Sequence, residues 1–209
     1  MEPLGRCLAR FAQVHAPDQP GFGASGKPQQ ALGLEQLADF HAAYLQAVGV
    51  GRAALLGNSF GCQIAVACAE RHPEAVDRLV LQGPTADPDS RTVFRIARRW
   101  FENSRRESSN LGFLLAEYRR AGFGRVAGTF REMLRDRMED RLPKVAPPVL
   151  VVRGDRDPIV PQAWAERVAA LAPHGRLVVV PGAAHTMNHY QAEALARVVE
   201  PFLLGGEPA

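Results

Sequence analysis

Apolar residues along this chain gather in short uninterrupted runs, and the stretches between them carry apolar positions at helical spacing. The runs at 52–56, 78–81, 149–152 and 177–180 each stop at glycine or proline: Gly57, Gly83-Pro84, Gly154 and Pro181-Gly182. A fifth run, 11–16, stops at Pro17-Asp18-Gln19-Pro20-Gly21 and is read as one more strand. None of them alternates apolar with polar, which is the pattern of strands covered on both faces. Leu34, Leu37, Ala38, His41, Leu45 and Val48 recur every three or four residues and predict a helix. Helices are also expected at 62–71, ending before Pro73, and at 162–171 and 190–203. Strand and helix in alternation predict an α/β fold, a mostly parallel sheet flanked by helices.

That rhythm breaks once. Between Pro84 and Pro147 no strand candidate occurs, only three helical patterns: Val93/Ala97/Trp100, Leu111/Leu114/Leu115/Tyr118 and Val126/Phe130/Met133/Met138. The expected organisation is a core of residues 1–87 and 144–209 with a helical cap inserted at 88–143. Residues 205–209 read as a frayed tail.

Charge follows the same division. The chain carries a net +3 over 209 residues, yet 13 arginines face 7 acidic residues between Arg91 and Arg141. Most of these arginines are expected on solvated helix faces, and the excess suits an anionic small molecule. No zinc-finger, RNA-binding or basic-zipper pattern accompanies them, so no nucleic-acid partner is expected. No stretch approaches the roughly 18 apolar residues of a membrane span, and the first 16 residues are broken by Glu2, Pro3, Arg6 and Arg10. Three cysteines, Cys7, Cys62 and Cys68, lack metal-ligand spacing and read as reduced thiols in a cytoplasmic protein. No metal or organic cofactor is expected.

The candidate chemistry sits where strand runs end. Gly57-Asn58-Ser59-Phe60-Gly61 follows the strand at 52–56 and precedes an alanine-rich helix. A tight strand-to-helix turn lifts a serine hydroxyl clear of the backbone and aims a helix N-terminus at the place where negative charge develops. Crowding in such a turn calls for small residues two positions either side. A serine needs a base, and the base needs an orienting acid. Asp155 and Asp157, after the strand at 149–152, are the candidate acids. His185, in the small-residue loop Pro181-Gly182-Ala183-Ala184, is the candidate base, with His189 competing from a helix start. His72 and His174 fit no such place.

With these motifs in hand, the chain resembles the α/β-hydrolase fold superfamily, in particular its small capped serine hydrolases. Asp18-Gln19-Pro20-Gly21-Phe22-Gly23-Ala24-Ser25 is similar to that family's Asp-x-Pro-Gly-x-Gly-x-Ser turn after the fourth strand, Gly154-Asp155-Arg156-Asp157 to its Gly-x-x-Asp, and Gly182-Ala183-Ala184-His185 to its Gly-x-x-His. The resemblance implies Ser59 as nucleophile, Asp157 as acid, His185 as base and the Phe60 N–H as an oxyanion donor. It implies hydrolysis of an ester or related acyl compound through an acyl-enzyme. Hydrolysis of a carbon–carbon bond in an anionic diketone is the alternative, and a catalytically silent ligand-binding chain a third. It also implies a substrate pocket between cap and sheet, with Phe94, Trp100, Ile159 and Met187 as contacts and Phe101, Phe113, Phe123 and Phe130 as further lining candidates. The family's His-Gly loop, which gives the second oxyanion donor, belongs upstream of Asp18. Residues 4–10 resemble the helix that follows that loop. The expectation is a shortened hydrolase without the first three strands, or one whose sheet is completed by another strand or subunit; an incomplete sheet favours self-association.

Overall fold

A computed structural model describes residues 1–107 and 111–206. Four strands form one parallel sheet in chain order: β1 (Ala53–Asn58), β2 (Val76–Gln82), β3 (Val149–Gly154) and β4 (Gly175–Val180). Helix α3 (Phe60–Arg71) connects β1 to β2, and α8 (Gln162–Leu171) connects β3 to β4. Before β1 come α1 (Glu2–Leu8) and α2 (Leu34–Ala47), and after β4 come α9 (Met187–Tyr190) and α10 (Ala192–Leu203). Four helices fill the interval between β2 and β3: α4 (Val93–Arg106), α5 (Leu111–Ala121), α6 (Phe123–Arg135) and α7 (Met138–Arg141). No helix among the described residues is long and apolar enough to cross a membrane.

The continuous apolar runs are explained by two hydrophobic layers. Successive strand side chains point to opposite faces, and both faces here are dry. Leu79, Leu81, Val149 and Val151 face one layer, built with Leu37, Val66, Trp164 and Val168 from α2, α3 and α8. Val80, Leu150, Val152 and Val180 face the other, built with Leu4, Leu8, Leu195 and Val199 from α1 and α10. Helix α3 is apolar nearly all round, with every residue from Cys62 to Ala69 buried, because it lies between the sheet and α2.

The expected strand at 11–16 is not formed. Its first residues hang from the end of α1, where the Phe11 and Ala12 N–H groups donate to the Leu8 carbonyl, and residues 12–16 are exposed. An apolar run becomes a strand only beside a partner ladder. Among the described residues no strand pairs with the outer edge of β1, which is only half-buried. All three cysteines are free and buried.

Candidate active site

The turn between β1 and α3 is strained where the sequence places the serine. Ser59 has φ +55° and ψ −120°, a conformation that costs a non-glycine residue on the order of 1–3 kcal/mol and persists only when its surroundings enforce it. Enforcement comes from the sheet: the Ser59 N–H donates to the Gln82 carbonyl at 3.1 Å, and the Cys62 N–H donates back to the Ser59 carbonyl at 3.0 Å. Gly57 is sterically required, since a Cβ there would lie 2.4 Å from the Gly61 carbonyl oxygen. Gly61 is not, because a Cβ on it meets nothing within 4 Å. Phe60 opens α3, so its N–H is one of the first-turn donors that no helical carbonyl accepts. The neighbouring Cys62 thiol donates to the Gly57 and Gln82 carbonyls, and burial pushes its pKa far above the usual thiol range. That leaves the serine as the nucleophile candidate of this turn.

The two loops beyond β3 and β4 meet next to this turn. His185 Nδ1 and Asp157 Oδ2 lie 2.8 Å apart, both groups almost fully buried. The other carboxylate oxygen, Oδ1, accepts the Ile159 and Val160 N–H groups at 2.8 and 3.1 Å, which fixes the rotation of the carboxylate. Buried Arg153 braces the same loop by donating to the Asp157 and Val160 carbonyls. Asp155 is occupied otherwise, accepting the Gly182 N–H at 2.7 Å as a turn residue. His189 lies in α9, edge-on to Tyr190. The imidazole of His185 packs on Gly83, where a Cβ would come within 3.0 Å of Cε1 and Nδ1 and where φ is +60°. Gly83 directly follows Gln82, whose carbonyl holds Ser59, so the ring stands beside the serine turn. His185 Nε2 is buried without a hydrogen-bond partner. A Ser59–His185 hydrogen bond is therefore not formed here.

Helix α4 is pinned across both loops. Arg99 donates to the Ile159 carbonyl at 3.1 Å and Arg106 to the Arg156 carbonyl. Glu107 accepts from Thr186, the residue after His185, through its N–H at 2.9 Å and its hydroxyl at 2.6 Å. Asn103 completes the shell of Glu107 at 2.7 Å. At the far end of the inserted helices, buried Gln63 of α3 donates to the Met133 carbonyl and to Asp136. Arg141 binds Asp136, Glu70 and Glu35 together. Burial raises the Asp136 carboxyl above its ordinary value, against the opposing bonds from Gln63 and Arg141. Glu107→Ala removes a charged acceptor worth about 1–3 kcal/mol from one corner only. Trypsin is then expected to cut at exposed Arg105 or Arg106 about tenfold faster or more, with the global melting temperature nearly unchanged; limited proteolysis reads this directly.

Between α4, α6 and the segment after β2 lies a cavity of about 30 Å³, lined by Thr85, Asp87, Arg91, Trp100, Met133 and Ile159 among others. It has room for a water or two, far less than the several hundred Å³ of a ligand pocket. Of the expected substrate contacts, Trp100 and Ile159 line this cavity. Phe94 does not: it is 80% exposed, as Phe101 and Phe123 also are for the most part, because Ile96, Trp100 and Asn103 form the inward face of α4. Met187 is also misplaced by the sequence reading, since it is fully buried with Leu4 and Leu195 on the opposite side of the sheet. Phe130 is half-buried, and the Phe113 side chain lies outside the described residues. Among the described residues no three His, Cys, Asp or Glu side chains are grouped to hold a metal ion.

A family model described as "Alpha/beta hydrolase family" matches residues 3–198. The chain belongs to the α/β-hydrolase family. A 2-hydroxymuconate semialdehyde hydrolase of Pseudomonas putida is 31% identical over 96% of this hydrolase and 81% of that protein. A protein of the same description from Pseudomonas sp. (strain CF600) is 47% identical over 77 residues, 36% of this chain and only 27% of that one. Among solved structures, a meta-cleavage product hydrolase from Pseudomonas fluorescens IP01 superposes with a TM-score of 0.76 at 20% identity, over 98% of this chain and 84% of the other. At that identity the likeness is one of fold.

Two residues bonded to the loop that carries His185 escaped the sequence reading, Gln82 and Glu107. The signal for Gln82 was present: a lone amide follows the apolar Leu79-Val80-Leu81, at the carboxyl end of the sheet where α/β folds place their sites. Glu107 had no such signal, because only the path of α4 brings it to Thr186.

Proposed function

We propose that this hydrolase cleaves an ester or related acyl substrate through a covalent acyl-enzyme. Ser59 Oγ bonds to the substrate carbonyl carbon while its proton passes to His185 Nε2. Asp157 holds the Nδ1–H and so keeps Nε2 free to accept. The negative charge formed on the carbonyl oxygen is met by the Phe60 N–H and the positive end of α3. Collapse breaks the bond to the leaving alcohol, which takes the proton from His185. Water then repeats the sequence to release the acid. Residues 88–143 act as a lid that must shift, since the cavity beneath them is too small for a substrate. The observation that carries this reading is the 2.8 Å buried pair of Asp157 and His185 beside the strained Ser59 turn.

A fluorophosphonate probe tests it. Wild-type protein is expected to take up one label, seen as a mass shift on intact protein, and Ser59→Ala none. A folded wild type that stays unlabelled sinks the reading.

A second reading, hydrolysis of a carbon–carbon bond in an anionic dienoic ketone, draws support from the names of the similar proteins and from Arg91 and Arg99 at the cavity. Both arginines are already paired, with Glu139 and Asp87. Turnover of a coloured ring-cleavage product in preference to p-nitrophenyl esters selects this reading over the first.

A further inference from the structure

The carboxyl end of β2 carries a fully buried glutamine, Gln82, in a strand whose preceding residues Leu79, Val80 and Leu81 are apolar and dry. Its side-chain amide has two partners. Oε1 accepts from Asn58 Nδ2 at 2.6 Å, and Nε2 donates to the His185 carbonyl at 2.8 Å. Its main-chain carbonyl takes the Ser59 N–H at 3.1 Å and a second, longer contact from Asn58. One residue therefore touches the residue before the serine, the serine itself and the backbone of the histidine. In register it stands between Asn58 of β1 and Val152 of β3.

Burying a primary amide costs on the order of 1–3 kcal/mol unless both ends are bonded, and an apolar side chain would fill the same place without that demand. Packing therefore does not explain the glutamine. Its partners do, since its side-chain bonds reach the two segments whose relative position decides whether Ser59 Oγ and His185 Nε2 can meet. Asp157 fixes the rotation of the imidazole through Nδ1, but it does not fix how far the loop of residues 181–186 stands from the serine turn. We propose that Gln82 is a positioning residue that sets this separation by bracing the His185 carbonyl against Asn58. This rests on the serine-hydrolase reading above. Gln82 takes no part in bond making; it acts through the placement of the two groups that do.

The test is Gln82→Met, similar in volume and without either hydrogen bond. The rate constant for fluorophosphonate labelling is expected to fall between about tenfold and a hundredfold, the scale of a misplacement near 1 Å. For an ester substrate kcat, counted per site that takes up label at completion, should fall by the same factor with KM held; counting labelled sites removes the loss that an unfolded fraction alone would give. Asn58→Ala removes only one end of the brace and is the second variant if Gln82→Met does not fold. It should lower kcat less, again with KM held. If both single variants fold, the double variant should be no slower than Gln82→Met alone, because the two substitutions break one connection. A labelled wild type beside a Gln82→Met protein that reacts at the same rate overturns the brace and leaves the serine reading standing. So does a loss shared equally by kcat and 1/KM, or, if Gln82→Met does not fold, an Asn58→Ala protein with unchanged kcat. An unlabelled wild type removes the serine reading, and the brace with it.

Discussion

Asp157→Asn is expected to lower kcat by about four orders of magnitude while leaving the protein folded and nearly as stable as wild type. The reason lies in how the carboxylate is held. Oδ1 accepts two backbone N–H groups, from Ile159 and Val160, so in the variant the amide oxygen must occupy that side. The NH₂ group is then turned to His185 Nδ1 and donates where the carboxylate accepted. An imidazole that accepts at Nδ1 carries its proton on Nε2, and a protonated Nε2 cannot take the proton of Ser59. Three of the side-chain contacts survive in form, so the thermal midpoint should move little. Steady-state kinetics with thermal unfolding of the same sample checks both halves. A variant retaining a tenth of wild-type kcat would show that the Asp157–His185 pair is structural.

Gly57→Ala should act on the fold itself. A Cβ at 57 meets the Gly61 carbonyl oxygen at 2.4 Å, the Gly61 carbonyl carbon at 2.5 Å and the Cys62 nitrogen at 2.6 Å. These are backbone atoms, so no change of rotamer relieves them. The start of α3 must move, and α3 is buried between the sheet and α2. The cost is expected at about 3 kcal/mol or more, a fall in melting temperature on the order of 10 °C for a domain of this size. Fluorophosphonate labelling should be lost with it, since the same shift displaces Ser59. Gly61→Ala is the control: it meets open space, and its melting temperature should stay within a few degrees of wild type. Equal melting temperatures for the two variants would contradict the geometry of the turn.

The legible parts of this protein were those decided locally. Runs buried on both faces marked all four strands to within about two residues, because glycine or proline lies close to the end of each, although β1 runs on through Gly57 and β3 takes in Gly154. The same criterion failed at 11–16, where the pattern is a strand's but no ladder lies alongside. The turns after β3 and β4 were legible as the places for an acid and a base, because parallel strands bring such turns to one end of the sheet, but placement left Asp155 beside Asp157, and only the resemblance favoured the one that meets His185. The aromatic contacts were not legible. Helix α4 carries apolar residues on both faces, and periodicity does not tell the Ile96–Trp100 face from the Phe94–Phe101 face. Gln82 and Glu107 meet their partners across 103 and 79 positions of chain, a pairing that only the finished topology creates.

The order of the strands also bears on how the chain reaches that topology. Each strand of the sheet adds beside the one made just before it, so the sheet can grow in the direction of synthesis with every new ladder forming on a ready edge. Helix α1 is the exception. Leu4, Cys7 and Leu8 pack with Leu195, Val199 and Phe202 of α10, and Arg10 grips Glu193 with both ends of its guanidinium. The seat of α1 is therefore complete only once α10, far behind it in the chain, has emerged, so this one contact must wait while the ladders of the sheet need not.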